Sequence, residues 1–275
     1  MSDETKKPES NVESTISAAA EIVKAIPVYQ DVIQPSAKQL GRALETVTKT
    51  VNIALAPIKA LVWGFEQIED FVTNRVSEKL KNVPEENIVT PLPQIAGPAV
   101  EALRYLGHDE NLRELFANLL ATSMDKNTLD KAHPGYVDII KNITADEAVL
   151  LTAFINKNIY PKINIKSETK DSDKVWKLMK VNFSHLDKIV SPKRPDLIPA
   201  YIDNLQRLGL IENLPNIELR DRPEIYEPLE NDPQLDSLKK EITEKMNRAI
   251  VFDRGILRIT SFGRQFVNNV IVEKA

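Results

Sequence analysis

Reactive side chains are sparse in this sequence. None of its 275 residues is a cysteine, which removes disulfides, thiolate zinc sites, iron–sulfur clusters and a cysteine nucleophile. The three histidines, His108, His133 and His185, lie far apart, and none stands in an H-E-x-x-H or H-x-E arrangement. His108 follows the end of a helical segment, where its charge suits the helix dipole, and His133 precedes a proline in a turn. The eight glycines form neither G-x-G-x-x-G nor G-x-x-x-x-G-K-[ST], so no backbone cradle for phosphate is visible. A G-x-S-x-G elbow is absent too. Glu66, Glu69 and Asp70 cluster on the polar side of an apolar stripe and read as a solvated face. These observations lead us to expect no enzyme, no metal site and no cofactor. What remains is contact.

Two sets of residues are candidates for contact. The first belongs to a stripe of apolar residues at 40, 44, 47, 51, 55, 58, 62, 65, 68, 72, 76 and 80, a mean step of about 3.6 and therefore one face of a helix. Its centre, Ile58, Val62, Trp63, Phe65 and Ile68, could meet a partner, or a bilayer after a trigger. As a membrane span it fails, because its most apolar run, 51–65, holds Asn52, Pro57 and Lys59 and is shorter than the roughly 20 residues required. Core packing is the plainer reading of the stripe. In a triggered mechanism, residues 112–120 would mask it at rest, and Pro57 and Gly64 would serve as hinges. The second set is basic: Lys174, Lys177, Lys180 and Arg194, with Asn204, Gln206 and Arg207, could touch nucleic acid, with Trp176 and Phe183 interleaved.

The elements that must position these residues follow from periodicity and punctuation. Composition is that of a globular chain, with 42% hydrophobic and 28% charged residues and a net charge of -4. That charge argues against non-specific nucleic-acid binding by the whole molecule. Residues 1–14 are polar, without an apolar period, and are expected to form a disordered tail rather than a secretory signal. A cytoplasmic location is the expectation, with attachment to the inner face of the membrane in the triggered case. Residues 15–143 read as a helical domain built on one long helix, kinked at Pro57. Residues 82–98 carry four prolines and read as a connector, with Pro98 opening the next helix. Asp109 suits the cap of a helix bearing Leu112, Leu115, Phe116, Leu119 and Leu120, and Thr144 with Glu147 has capping-box spacing.

Residues 144–275 read as a smaller α+β domain. Ile163 and Ile165 alternate with polar neighbours as a short strand does, and a Lys-rich helix is expected over 174–188. Residues 218–236 are acidic and proline-rich, with no core pattern. Residues 212–244 hold 10 acidic and 4 basic side chains, and 157–194 hold 10 basic and 4 acidic, so these two segments are expected to lie against each other. Leu205-Gln206-Arg207-Leu208-Gly209-Leu210-Ile211 has the form helix, glycine turn, strand. Ile259-Thr260-Ser261-Phe262-Gly263-Arg264-Gln265-Phe266 has the form strand, turn, helix. The pair resembles winged-helix domains, and in that resemblance Asn204, Gln206 and Arg207 occupy the recognition helix. Winged helices also serve as protein-docking modules, and Asp196 and Asp203 beside a single basic residue weigh against DNA. The overall fold class is thus mainly α, followed by a small winged-helix-like α+β domain.

A broader resemblance is carried by Tyr29-Gln30-Asp31, Gln34-Pro35, Gly41, the run Asn52-Ile53-Ala54-Leu55-Ala56-Pro57, and Trp63-Gly64. It continues through Pro84-Glu85-Glu86-Asn87-Ile88, the run Leu112-Arg113-Glu114-Leu115-Phe116-Ala117-Asn118-Leu119-Leu120-Ala121, and His133-Pro134. Together these resemble the abortive-infection alpha family of bacterial proteins. The resemblance implies a role in defence against phage, in which an infected cell stops growing or dies before progeny emerge. It carries no catalytic residues. The favoured mechanism is non-enzymatic, through a protein partner, self-association or triggered membrane association; the alternative is a nucleic-acid-binding regulator or sensor.

Overall fold

The computed structural model describes residues 62–273 apart from 216, 218, 220 and 221. The tail, the stripe as far as 61, its kink at Pro57 and the candidate Ile58 lie outside the described residues. From Gly64, whose N–H donates to Gln67 Oε1, Phe65–Phe71 runs through a wider π turn, Val72–Val76, into Ser77–Leu80; together they form α1. The stripe's period survives here. Ile68, Val76 and Leu80 are buried, while Glu66, Glu69 and Asp70 stay in water.

The next helix, α2 (Pro93–Leu106), begins five residues before the expected start. Pro93 takes the first helical turn, where a missing N–H costs nothing, and Pro98 sits inside. Asp109 caps α3 (Glu110–Ser123) by accepting from Leu112 N at 3.1 Å. Ten of the 14 residues of α3 are buried, so among the described residues α3, rather than the stripe, is the element the others surround. Ala117 and Ala121 are fully buried in it. After α4 (Gly135–Lys141), the capping box forms as expected at α5 (Ala145–Thr152): Glu147 N donates to Thr144 Oγ1, and Thr144 N donates to Glu147 Oε2.

Four antiparallel strands follow in the spatial order β2-β1-β4-β3. The short strand expected around Ile163 extends over Ile159–Glu168 (β1) and pairs with β4 (Ala249–Ile259) along its whole length. The expected Lys-rich helix is instead strand β2, Trp176–Phe183, paired to β1 from Phe183 opposite Ile163 to Trp176 opposite Glu168. The segment's apolar residues fit both templates, but the turn-forming run Asp171-Ser172-Asp173 closes a hairpin that satisfies the backbone against β1. Short turns lead to α6 (Ile198–Arg207). Gly209, at φ 72°, then reverses the chain into β3 (Ile211–Pro215). The last helix, α7 (Ser261–Phe266), opens into a π turn, Val267–Ile271.

The sheet separates two cores. Tyr160, Leu257 and Ile259 face the helices and join a cluster that runs from Ile68 through α2–α7 to Val270; residue 143, where the sequence sets a domain boundary, lies within it. Ile163, Ile165 and Phe183 are covered by Tyr226, Leu229, Leu235 and Ile242. The acidic 218–236 segment thus does build a core, contrary to its lack of pattern. Pro223, Pro228 and Pro233 chop it into turns too short to show a period. The acidic and basic segments do lie together, joined by this apolar contact and by Lys188 on Asp232 at 2.6 Å.

Candidate interaction surface

Polar groups that might react are largely committed within the fold. His185 Nε2 and Lys188 Nζ both meet the buried carboxylate of Asp232, at 2.7 and 2.6 Å. Burial works to raise that acid, but Lys188, the Gln234 N–H and His185 outweigh it and hold it at about 2, below the ordinary 3.8. His133 stacks among Tyr136 and Phe262, and His108 is exposed. A cleft of about 290 Å³ lies between α1, α3, α5 and the C-terminal end. Its charges pair with one another. Arg75 forks onto Glu114, and buried Lys79 reaches Glu114 at 3.2 Å and Glu273 at 3.1 Å. Burial by itself would raise Glu114, yet Arg75 and Lys79 pull it below its usual range. Among the described residues, no group of three or more His, Asp or Glu side chains could hold a metal ion.

The stripe candidates do not share one exposed face. Phe65 is 75% exposed and Ile68 is buried; Val62 and Trp63 are half-buried. Trp63 is held from several sides. Its N–H donates to Arg104 O at 2.8 Å, its ring meets Phe71 edge-on at 5.6 Å, and Arg113 lies 5.8 Å from it. A Cβ on Gly107 would stand 2.4 Å from the Trp63 ring, so this glycine serves a close approach of the indole. Among the described residues, no helix is long and apolar enough to cross a membrane.

The basic candidates divide. Arg194 forks onto Asp196. Asn204 donates to Glu147 Oε1 at 2.7 Å and to Asn142 O at 2.9 Å, and accepts from Arg207. Asn204 therefore binds the start of α5, while Gln206 and Arg207 stay exposed. Lys174, Lys177 and Lys180 stand together on and beside β2, all exposed. None of them forms an ion pair with a described residue.

Beside these lysines lies a row of exposed apolar side chains that the helical reading of 174–188 concealed. Val175 is 59% exposed, Trp176 55%, Leu178 43% and Val181 37%. Trp176 was visible in the sequence as an aromatic among lysines; the other three lay within the expected Lys-rich helix. Strand alternation puts Trp176 and Leu178 on one face, opposite Glu168 and Lys166. Lys166 lies 4.2 Å from the Trp176 ring and also pairs with Asp253, which fixes the indole on one side. Among the described residues β2 has a strand neighbour on one side only, so alternate backbone N–H and C=O groups point away from the sheet. Lysine on an edge strand commonly discourages unwanted pairing, but four exposed apolar residues within residues 175–181 run against that use.

Three comparisons bear on this chain. A family model described as abortive infection alpha matches residues 64–270. No curated protein matches. The chain is similar to a solved structure of an uncharacterized protein from the marine bacterium Alcanivorax borkumensis SK2. Identity is 21%, the match covers 50% of this chain and 92% of that one, and the TM-score of 0.34 is too low to carry an argument.

Proposed function

The chain belongs to the abortive infection alpha family, which sets it in abortive-infection defence against phage, and we propose that it acts there without catalysis, by docking a protein partner on β2. The observation that carries this reading is the row Val175, Trp176, Leu178 and Val181 at an unpaired sheet edge. Covering apolar surface is worth about 25 cal/mol for each Å² removed from water, so these exposed side chains favour association. Cytoplasmic action accords with a chain that has no cysteine.

The winged-helix-like reading belongs with this proposal. It is supported by α5, β1, the turn Leu186–Ile189, α6, β3 and β4 following in that order, with β1 and β3 flanking β4. β2 is then an added strand on β1, and the insertion between β3 and β4 stands where a wing would be. Asn204 is spent on Glu147 of α5 and Arg207 on Asn204, which favours protein docking over reading of bases.

The test is plaque formation on cells making the wild type or the Trp176→Glu, Leu178→Glu double variant. Both sites are exposed, so the variant should keep its Tm within about 2 °C. Loss of protection by the folded variant is the expected result; full protection by it would overturn the reading.

A further inference from the structure

We propose that β2 is the receiving edge for an extended, acidic segment of a partner protein, which joins the sheet as a fifth strand. This rests on the contact reading above and names its chemistry. Three features of β2 converge on such an occupant. Its outer backbone groups have no strand to pair with among the described residues, and an incoming strand satisfies N–H and C=O alike. Lys177 and Lys180, opposite Ser167 and Ile165, rise from one face of β2, and Lys174 stands just before the strand; none has a carboxylate partner among the described residues, so acids on the incoming strand would meet opposite charge across the pair. Val175, Leu178 and Val181 offer aliphatic contact between those charges.

The same features discriminate against other occupants. A second copy pairing β2 with β2 would bring lysines together, and like charges directly opposite destabilise a strand pair. A bilayer would cover the apolar row but leave the edge N–H and C=O groups without partners. Single-stranded nucleic acid needs successive aromatic platforms, and the exposed row holds one, Trp176. Phosphates could accept from the edge N–H groups but could not donate to its carbonyls.

The experiment uses the full chain and a fluorescent peptide of alternating glutamate and valine, as long as β2, followed by anisotropy. Binding is expected, weakening with salt and falling about tenfold or more in a folded Lys177→Glu, Lys180→Glu variant. The same peptide N-methylated at alternate residues, which cannot pair as a strand, should not bind. No binding, equal binding of the methylated peptide, or equal binding by the charge variant overturns the proposal. So does binding of phosphatidylglycerol vesicles or a single-stranded oligonucleotide at β2 in place of the peptide. If the peptide fails while the Trp176→Glu, Leu178→Glu variant still loses phage protection, strand addition falls and the contact reading stands. If that variant protects normally, the contact reading falls as well.

Discussion

Lys162 carries its ammonium into the interior without a carboxylate of the described residues at ion-pair distance. Its Nζ donates to Asn182 Oδ1 at 3.2 Å and Asn164 Oδ1 at 3.3 Å. Burial pushes its pKa below 10.5, and Asp253 and Asp203 resist from farther away. Both amide oxygens keep another donor if the lysine is removed: Asn213 donates to Asn182 Oδ1, and the Asn182 N–H to Asn164 Oδ1. Lys162→Met should therefore be neutral or stabilising by up to about 1 kcal/mol at pH 7, read by urea unfolding. The unfolded chain holds this proton more tightly than the folded one. Wild-type stability should gain with pH in the window below 10.5, and the methionine variant should lack that gain. Asp232 works in the opposite range. Its folded pKa of about 2 lies below the ordinary 3.8, so its contribution is complete above 3.8 and lost as pH falls toward 2. Asp232→Asn should cost about 2 kcal/mol at pH 7 and flatten the acid limb of a pH series between 4 and 2. Asp232 was hidden in a proline-rich segment with no period; only its contact with Lys188 and His185 gives it a role.

At the scale of elements, the two motif halves that suggested a winged helix meet at one point. Thr260 N and Oγ1 donate to the Leu210 and Gly209 carbonyls, and Gly263 N donates to Thr260 Oγ1. A Cβ on Gly263 would stand 1.9 Å from Leu210 O. Backbone cannot yield as a flexible side-chain tip can, so Gly263→Ala should destabilise by about 3 kcal/mol, the upper range of overpacking, and lower the Tm in calorimetry. The glycine and threonine were legible because turns and caps are local. Strand β2 was not, because a run such as Trp176–Phe183 satisfies both a helix and a strand template until β1 supplies the hydrogen bonds.

At the scale of the molecule, burial is concentrated in α3 and exposed apolar surface in β2. Hydrogen exchange should follow that contrast. Amides of α3 should open only with global unfolding, while the outer amides of β2 exchange fastest within the sheet. Fast exchange of α3 would mean that the described residues do not share one cooperative core. The stripe's described part bears on the masking idea directly. Ile68, Val76 and Leu80 are in the core beside α3, so releasing α1 would uncover three side chains worth about 2 kcal/mol each. Docking at β2 needs no such release.

The sequence by itself determined the caps, turns and helical faces: Asp109, Thr144 with Glu147, Gly209 and the buried side of α1 each answer to neighbours within a few positions. It also pointed to the family: of the motifs that resemble it, those from Gly64 to Pro134 fall within the matched residues 64–270, and those from Tyr29 to Trp63 lie outside them. Tertiary structure decided which template β2 obeys, which proline-broken turns cover the sheet, and that Asn204 meets Glu147 of α5. The physical reason is range. Capping and helical periodicity act over three or four residues, whereas strand pairing, burial and the partner of a charge depend on segments tens of residues away.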